Sequence, residues 1–283
     1  MFIYLWNSTC NKIYIDSRFR TKDSKSESDF NIELPRSFNV PDGVIAHIDD
    51  IVIPVSWSTI DERNRNCYAR LTCGAASQEA VFTFDSQNID GANFAALLAA
   101  RLTWVFSSFV PLPVFICAYD VSDNILTISL TDARTPQAVK DSNPIRLQIH
   151  TDATLAVAPL MISTPNSINT IIRNTVQTII TEGAAYKCYI DLFGTRNLYL
   201  TSSALCSYDT VSNFGMDTII KKIPCTAGYN KMIFQSSAST LDGLDVSKRT
   251  LRFLDFKLVD SSFRTIPLQG NHFSFSIVFV QKR

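Results

Sequence analysis

Asp49 and Asp50, with His47 just before them, are the residues of this 283-residue chain best suited by type to metal or acid-base chemistry. Adjacent residues on a strand point to opposite faces, so the two aspartates are not expected to converge on one ion. His47 and Asp49 share a face, as an imidazole oriented by a carboxylate would, but no nucleophile sits at a recognisable elbow. The other two histidines, His150 and His272, fall on separate strands with no HxH pair, which is not the clustered set of a cupin-type metal site. Seven cysteines (Cys10, Cys67, Cys73, Cys117, Cys188, Cys206 and Cys225) are odd in number and lack CxxC spacing, so they read as buried reduced thiols. GxSxG, P-loop, GxGxxG, HExxH and EF-hand patterns are missing from the sequence, and nine glycines leave little for a phosphate cradle. The residues nominate no catalytic group, no metal ligand and no cofactor, and the chain reads as a non-enzyme.

Composition narrows the class further. Hydrophobic residues make up 46% and charged residues 18%, against roughly 25% charged in an average soluble domain, which excludes a disordered chain. Lys plus Arg equals Asp plus Glu at 26 each, so no whole-protein field draws the chain onto nucleic acid or an anionic membrane. Nineteen Phe and nine Tyr on a weakly charged chain leave little repulsion against self-association, a sign of assembly. Met1 to Trp6 is apolar but lacks the basic flank and cleavage site of a secretory signal, so the sequon Asn7-Ser8-Thr9 reads as an ordinary polar loop. The uncharged run from Leu102 to Tyr119 contains Pro111 and Pro113 and reads as a helix followed by a buried strand, not as a membrane span.

The elements that must position these residues are mostly strands. Apolar and polar residues alternate from end to end, most clearly at Phe30, Ile32 and Leu34 and at Phe273, Phe275, Ile277 and Phe279. Between these lie enough further runs for two packed sheets. One stretch has helical periodicity, Phe94, Leu97, Leu98, Leu102 and Val105, with Asp90 as N-cap. Asp120 to Asn124 reads as a hairpin turn, and Asn166 to Asn174 fits either a short helix or a strand. Residues 79–165 therefore form a strand-helix-strand-strand-strand unit inserted into a sandwich of residues 29–78 and 166–283. Residues 1–28 read as an N-terminal arm. Lys12, Arg18, Arg20, Lys22 and Lys25 against Asp16 and Asp23 give residues 11–25 a surplus of three positive charges, either simply solvated or docked on an acidic partner or nucleic acid. The loop after Trp57, with Glu62, Arg63 and Arg65, is a second candidate contact. Lys221 and Lys222 read as edge lysines that block strand pairing.

Three N-terminal segments in order, Asp16-Ser17-Arg18, Ser28 to Pro35 (SDFNIELP) and Ile48 to Trp57 (IDDIVIPVSW), resemble penton-type minor capsid proteins of Polinton-like viruses, adintoviruses and virophage relatives. Ile219 to Pro224 (IIKKIP), Leu244 to Leu254 (LDVSKRTLRFL) and Phe273 to Phe279 (FSFSIVF) continue the likeness. The resemblance implies a mainly β fold: a single jelly-roll β-sandwich carrying the inserted α+β unit and the N-terminal arm. It also implies a homopentamer at each icosahedral fivefold vertex, contacting double-jelly-roll major capsid proteins, in a virion assembled in the host nucleus or cytoplasm. Arg18, Arg20, Lys22, Lys25, Trp57, Glu62, Arg63 and Arg65 are the candidate assembly contacts, with the arm touching capsid interior or nucleic acid. Adenovirus penton base plays the analogous role, but this chain has no Arg-Gly-Asp tripeptide for integrin-type binding. A β-sandwich recognition module, binding a glycan or host protein through end loops, is the alternative reading.

Overall fold

The structure, a computed structural model, describes residues 11–157, 159–163, 166–206, 218–236 and 243–281. In chain order the elements are β1 (Asn11–Asp16), β2 (Asp29–Asn39), β3 (Val44–Pro54), β4 (Asn66–Cys73), β5 (Ala76–Thr83) and α1 (Gly91–Val105). Then come β6 (Val114–Asp120), β7 (Ile125–Thr131), α2 (Gln137–Ser142), β8 (Ile145–Ile149), α3 (Asp152–Leu155), α4 (Asn169–Ile172), β9 (Ile179–Ile180) and β10 (Tyr186–Tyr189). The chain finishes with β11 (Asn197–Thr201), β12 (Ile219–Pro224), β13 (Met232–Gln235), β14 (Leu244–Asp245), β15 (Thr250–Val259) and β16 (Ser274–Gln281). It divides into two compact units, Met1–Trp57 with Thr195–Arg283, and Ser58–Gly194.

The first unit is a jelly roll. One sheet runs β1-β16-β3-β13, with β14 also on β3, and the other runs β12-β11-β15-β2, every pairing antiparallel. Eight strand positions in two sheets, with first and last strands adjacent, are the jelly-roll arrangement. Its core is aromatic where the sheets face: Phe30 meets Phe256 and Phe273 at 5.6 Å, and Phe256 meets Phe275 edge-on at 4.9 Å. Each such buried ring contributes about 1.5–3 kcal/mol of transfer free energy.

β3 carries a bulge. Ser274 pairs with Val52 and Ser276 with Asp49, so Asp50 and Ile51 together oppose one residue of β16. Asp50 takes the left-handed conformation, φ 49°, that aspartate tolerates better than most residues. The inward phase changes there, from Val44, Ala46 and Ile48 to Ile51 and Ile53. This corrects the expectation that Asp49 and Asp50 point apart, because the extra residue lets both carboxylates reach one cation, Lys12 Nζ, at 3.5 and 2.5 Å.

The described part of the expected N-terminal arm is built into the sandwich instead. β1 pairs with β16 from Asn11 opposite Phe279 to Asp16 opposite Ser274, and Ile15 is buried in the core. Beyond it Ser17 N donates to Phe273 O at 3.0 Å, Thr21 N to Asn31 O at 2.9 Å and Ser28 Oγ to Ile266 O at 2.5 Å. The polar character of Ser17 to Ser28 thus serves hydrogen bonds within the unit. Residues 1–10, with Cys10 and the sequon, lie outside the described residues.

The inserted unit is larger than the expected 79–165. β4 pairs with both β5 and β8, giving a sheet β5-β4-β8-β9, so the segment before residue 79 belongs here. Beyond residue 165, β10 completes a second sheet, β10-β7-β6, and Ile168, Ile171 and Ile172 enter the same core. Residues 169–172 are helical, which decides between the two readings of that segment. Helix α1 begins at the expected N-cap: Asp90 accepts from Asn93 N at 2.8 Å, while Phe94, Leu98 and Leu102 are buried. The run ending at Tyr119 is an edge strand with Val114 and Ile116 exposed, not a buried one. No helix among the described residues is long and apolar enough to cross a membrane.

Candidate assembly surfaces

The basic residues singled out near the N-terminus are largely matched with carboxylates. Arg18 grips Asp16, donating from Nε at 3.1 and 3.0 Å and from Nη2 at 2.6 Å, and its guanidinium lies 5.9 Å from the Phe19 ring centroid. That contact holds the Asp16 carboxyl below the usual carboxylate range. Arg20 donates to Glu27 at 3.2 Å and to the Ser17 carbonyl at 3.2 Å. Lys25 lies 4.0 Å from Asp29, and Lys22 is exposed. Lys12 is bound by Asp50 and Asp49, and the Asp50 hydrogen bond raises its pKa. The local positive surplus is spent on neighbouring carboxylates.

Glu62, Arg63 and Arg65 occupy one loop of the inserted unit. Asp61 organises it, accepting from Arg63 N at 2.8 Å and Arg63 Nε at 2.7 Å while Asn64 Oδ1 accepts from Asp61 N at 2.8 Å. Glu62 is exposed, and the Arg65 carbonyl accepts from Phe84 N at 2.8 Å, pinning the loop to the strand end. The two groups of candidate contacts thus sit in different units. Trp57 is corrected outright: at 6% exposure it is part of the jelly-roll core, because it continues the inward side of β3 through Val55. It offers no surface for a partner.

Exposed apolar side chains that the sequence reading missed flank the sandwich. On the β1 edge Tyr14 is 78% exposed and Phe19 75%. At the opposite edge of the same sheet, β13 exposes Met232 at 52% and Phe234 at 63%, with Tyr229 beside it. Phe234 stands opposite Val52 and Met232 opposite Pro54, all on the sheet's outer side. Phe253 is exposed on β15 under the Arg252 guanidinium, where the register shifts against β2. The available signal was phase: Tyr14 lies between inward Ile13 and Ile15, and Phe234 follows inward Ile233, so each aromatic occupies the outward step of an alternation.

The groups proposed for chemistry lie apart. His150 Nε2 lies 3.0 Å from Glu79 Oε2, His272 Nδ1 lies 3.4 Å from Ser17 Oγ, and His47 is buried with Gly243 packed close to its ring. Among the described residues no group of three or more His, Cys, Asp or Glu is arranged to hold a metal ion. Burial pushes the Cys117 and Cys188 thiols up to about 12 and Cys225 to about 11, and raises Cys67 further. Such thiols are poor nucleophiles at neutral pH.

No known protein family matches the sequence, and no curated protein does. Solved structures do match. The mavirus penton protein superposes with a TM-score of 0.53 over 95% of this chain and 99% of its own, at 10% identity. A chain in the cryo-EM structure of the Sputnik virophage matches over 96% of this chain and 98% of its own, at 13% identity and a TM-score of 0.46. This chain therefore has the fold of the mavirus penton protein, a mainly β chain built on a jelly roll.

Proposed function

We propose that this chain is a vertex capsomer, a non-enzymatic protein of which five copies close into a ring at each icosahedral fivefold vertex of a virion. A ring needs two different, mutually complementary surfaces on each subunit. The observation that carries the reading is the pair of unlike apolar edges on one sheet, Tyr14 and Phe19 beside β1 and Met232 and Phe234 on β13. The penton fold, shared over nearly the whole chain, supports it. The surrounding double-jelly-roll major capsid protein is the second partner. Because Arg18, Arg20 and Lys25 already face carboxylates, residues 11–28 suit contact with capsid protein better than with nucleic acid. Glu62, Arg63 and Arg65 form a separate polar contact on the inserted unit. Assembly takes place inside the host cell.

Light scattering on the full-length protein across a concentration series tests the ring. The expected mass is five times the 31.6 kDa of one chain. Tyr14→Glu and Phe234→Glu should each reduce it to a single chain without unfolding, since both side chains point outward. Mixed in equal amounts they should give dimers and nothing larger, because only one intact pair of edges remains. A wild type that stays a single chain at every concentration, or a mixture that stays monomeric, overturns the edge-to-edge ring and favours a recognition module.

A further inference from the structure

The chain contains three Asp-Gly pairs, Asp42-Gly43, Asp90-Gly91 and Asp242-Gly243, and in the last of these the aspartate lies outside the described residues. An aspartate side chain has the length to close a five-membered ring on the next amide nitrogen, and glycine, lacking a Cβ, leaves that nitrogen unshielded. The two described pairs are held in opposite ways. Asp90 is committed to the start of α1: its Oδ1 accepts from Asn93 N at 2.8 Å and its Oδ2 from Asn93 Nδ2 at 2.8 Å, and Gly91 is buried against Tyr119. Its carboxylate is therefore turned to Asn93 and not to the nitrogen of Gly91. Asp42 lies in the exposed turn between β2 and β3, and its Oδ1 accepts from Gly43 N itself at 3.0 Å, which folds the carboxyl back over the nitrogen that would attack it. Gly43 has φ 69°, and a Cβ there would lie 2.9 Å from Gln281 Nε2. The turn thus requires the very residue that leaves it reactive.

We propose that Asp42-Gly43 is a site of spontaneous covalent modification, at which the chain closes a succinimide and reopens as isoaspartate, while the fold keeps Asp90-Gly91 inert. Gly43 N forms a bond to Asp42 Cγ and gives up its proton, and one oxygen of the protonated carboxyl leaves as water. A solvent water then opens the ring at the former peptide carbonyl, so that the backbone runs through Cγ. Nothing is oxidised or reduced, and the net change is an isomerisation. Lys248 restrains the first step. Its Nζ lies 2.9 Å from Asp42 Oδ2, and this contact holds the Asp42 carboxyl below its ordinary range against the opposing charge of Asp245. An ionised carboxylate has no hydroxyl to release as water, so the ion pair slows ring closure. The product carries an extra backbone methylene at the entrance to β3, where the Asp42 and Gly43 carbonyls accept from Gln281 Nε2 at 2.9 and 3.3 Å.

Ageing the full-length protein for weeks at neutral pH in water enriched in heavy oxygen provides the test, with the label mapped by peptide mass spectrometry. Methylation by protein L-isoaspartate methyltransferase is a second readout. The peptide spanning Asp42-Gly43 should gain a heavy oxygen atom and become a methyl acceptor, while the peptide spanning Asp90-Gly91 stays unlabelled; in denaturant both should react. Lys248→Asn removes the charge but keeps a residue type that tolerates the left-handed conformation at φ 61°, and it should speed labelling at Asp42 several-fold. Asp42→Glu should abolish labelling there, because the longer side chain closes its ring poorly. A folded wild type that labels both pairs alike, or that leaves Asp42 unlabelled while the denatured chain reacts, overturns the inference, and so does a Lys248→Asn protein that labels more slowly than wild type.

Discussion

Asp132 and Arg134 form a guanidinium-carboxylate contact in the inserted unit whose carboxylate is buried. The buried Asp132 carboxylate accepts from Arg134 N at 3.0 Å, from Nε at 3.0 Å and from Nη2 at 2.6 Å, and Arg134 also donates to the Asn143 carbonyl at 2.6 Å and Cys73 Sγ at 3.4 Å. The guanidinium hydrogen bond holds the Asp132 carboxyl below its ordinary range, against the opposing effect of burial. A group depressed in the folded state contributes stability that is complete above its unfolded pKa and is lost as pH falls through the folded one. The melting temperature should therefore be flat between about pH 5 and 7 and fall below about pH 4, with Asp16 acting in the same direction in the jelly roll. Asp132→Asn should melt lower at neutral pH and show a shallower acid limb; a wild-type melting temperature that rises on acidification would contradict this. Residue type alone indicated buried cysteines, since unpaired cysteine is a small hydrophobe; Cys67 and Cys188 are buried, whereas Cys73, Cys117, Cys206 and Cys225 are only partly so. It could not indicate that Trp57 is inside and Phe234 outside, because that depends on strand phase.

Helix α1 and β6 meet at one point of unusually close approach. A Cβ added to Gly91 would lie 2.4 Å from the Tyr119 ring, and that ring is held in place by its hydroxyl, which donates to Asn124 at 2.9 Å. Gly91→Ala should therefore destabilise the inserted unit by about 1–3 kcal/mol despite alanine's better helix propensity, as overpacking outweighs the gain. Chemical denaturation should show this, and in a Tyr119→Ala background the same Gly91→Ala substitution should cost little further; an unchanged midpoint for Gly91→Ala alone would refute the contact. Elements with local signatures were legible in the sequence: α1 from its period and cap, β8 and β11 from clean alternation. The bulge at Asp50 was not, because a one-residue shift leaves hydropathy nearly unchanged while reversing which side chains face the core. The same blindness affected β6, whose apolar residues read as buried when half of them face outward.

At the scale of the whole chain, two aromatic and aliphatic cores share no residue, one in the jelly roll and one in the inserted unit. Scanning calorimetry should therefore resolve two transitions, and Phe256→Ala should move only one of them, by about 3–5 kcal/mol of stability. A single transition displaced as a whole by that substitution would show the units to be thermodynamically one. The alternation that revealed two sheets could not place the domain boundary, because β4 looks the same whether it pairs within the jelly roll or with β5 and β8; only the pairing partners decide. The adjacency of β1 and β16 bears on how such a chain is made. The first strand of the sandwich must wait for the last before it has a neighbour, whereas every strand of the inserted unit has its partners within Ser58–Gly194. On the ribosome the insert can complete itself while half of the jelly roll is still unsynthesised, so the segment that comes second in sequence is the first able to fold, and β1 stays without a strand partner until Ser274–Gln281 emerges.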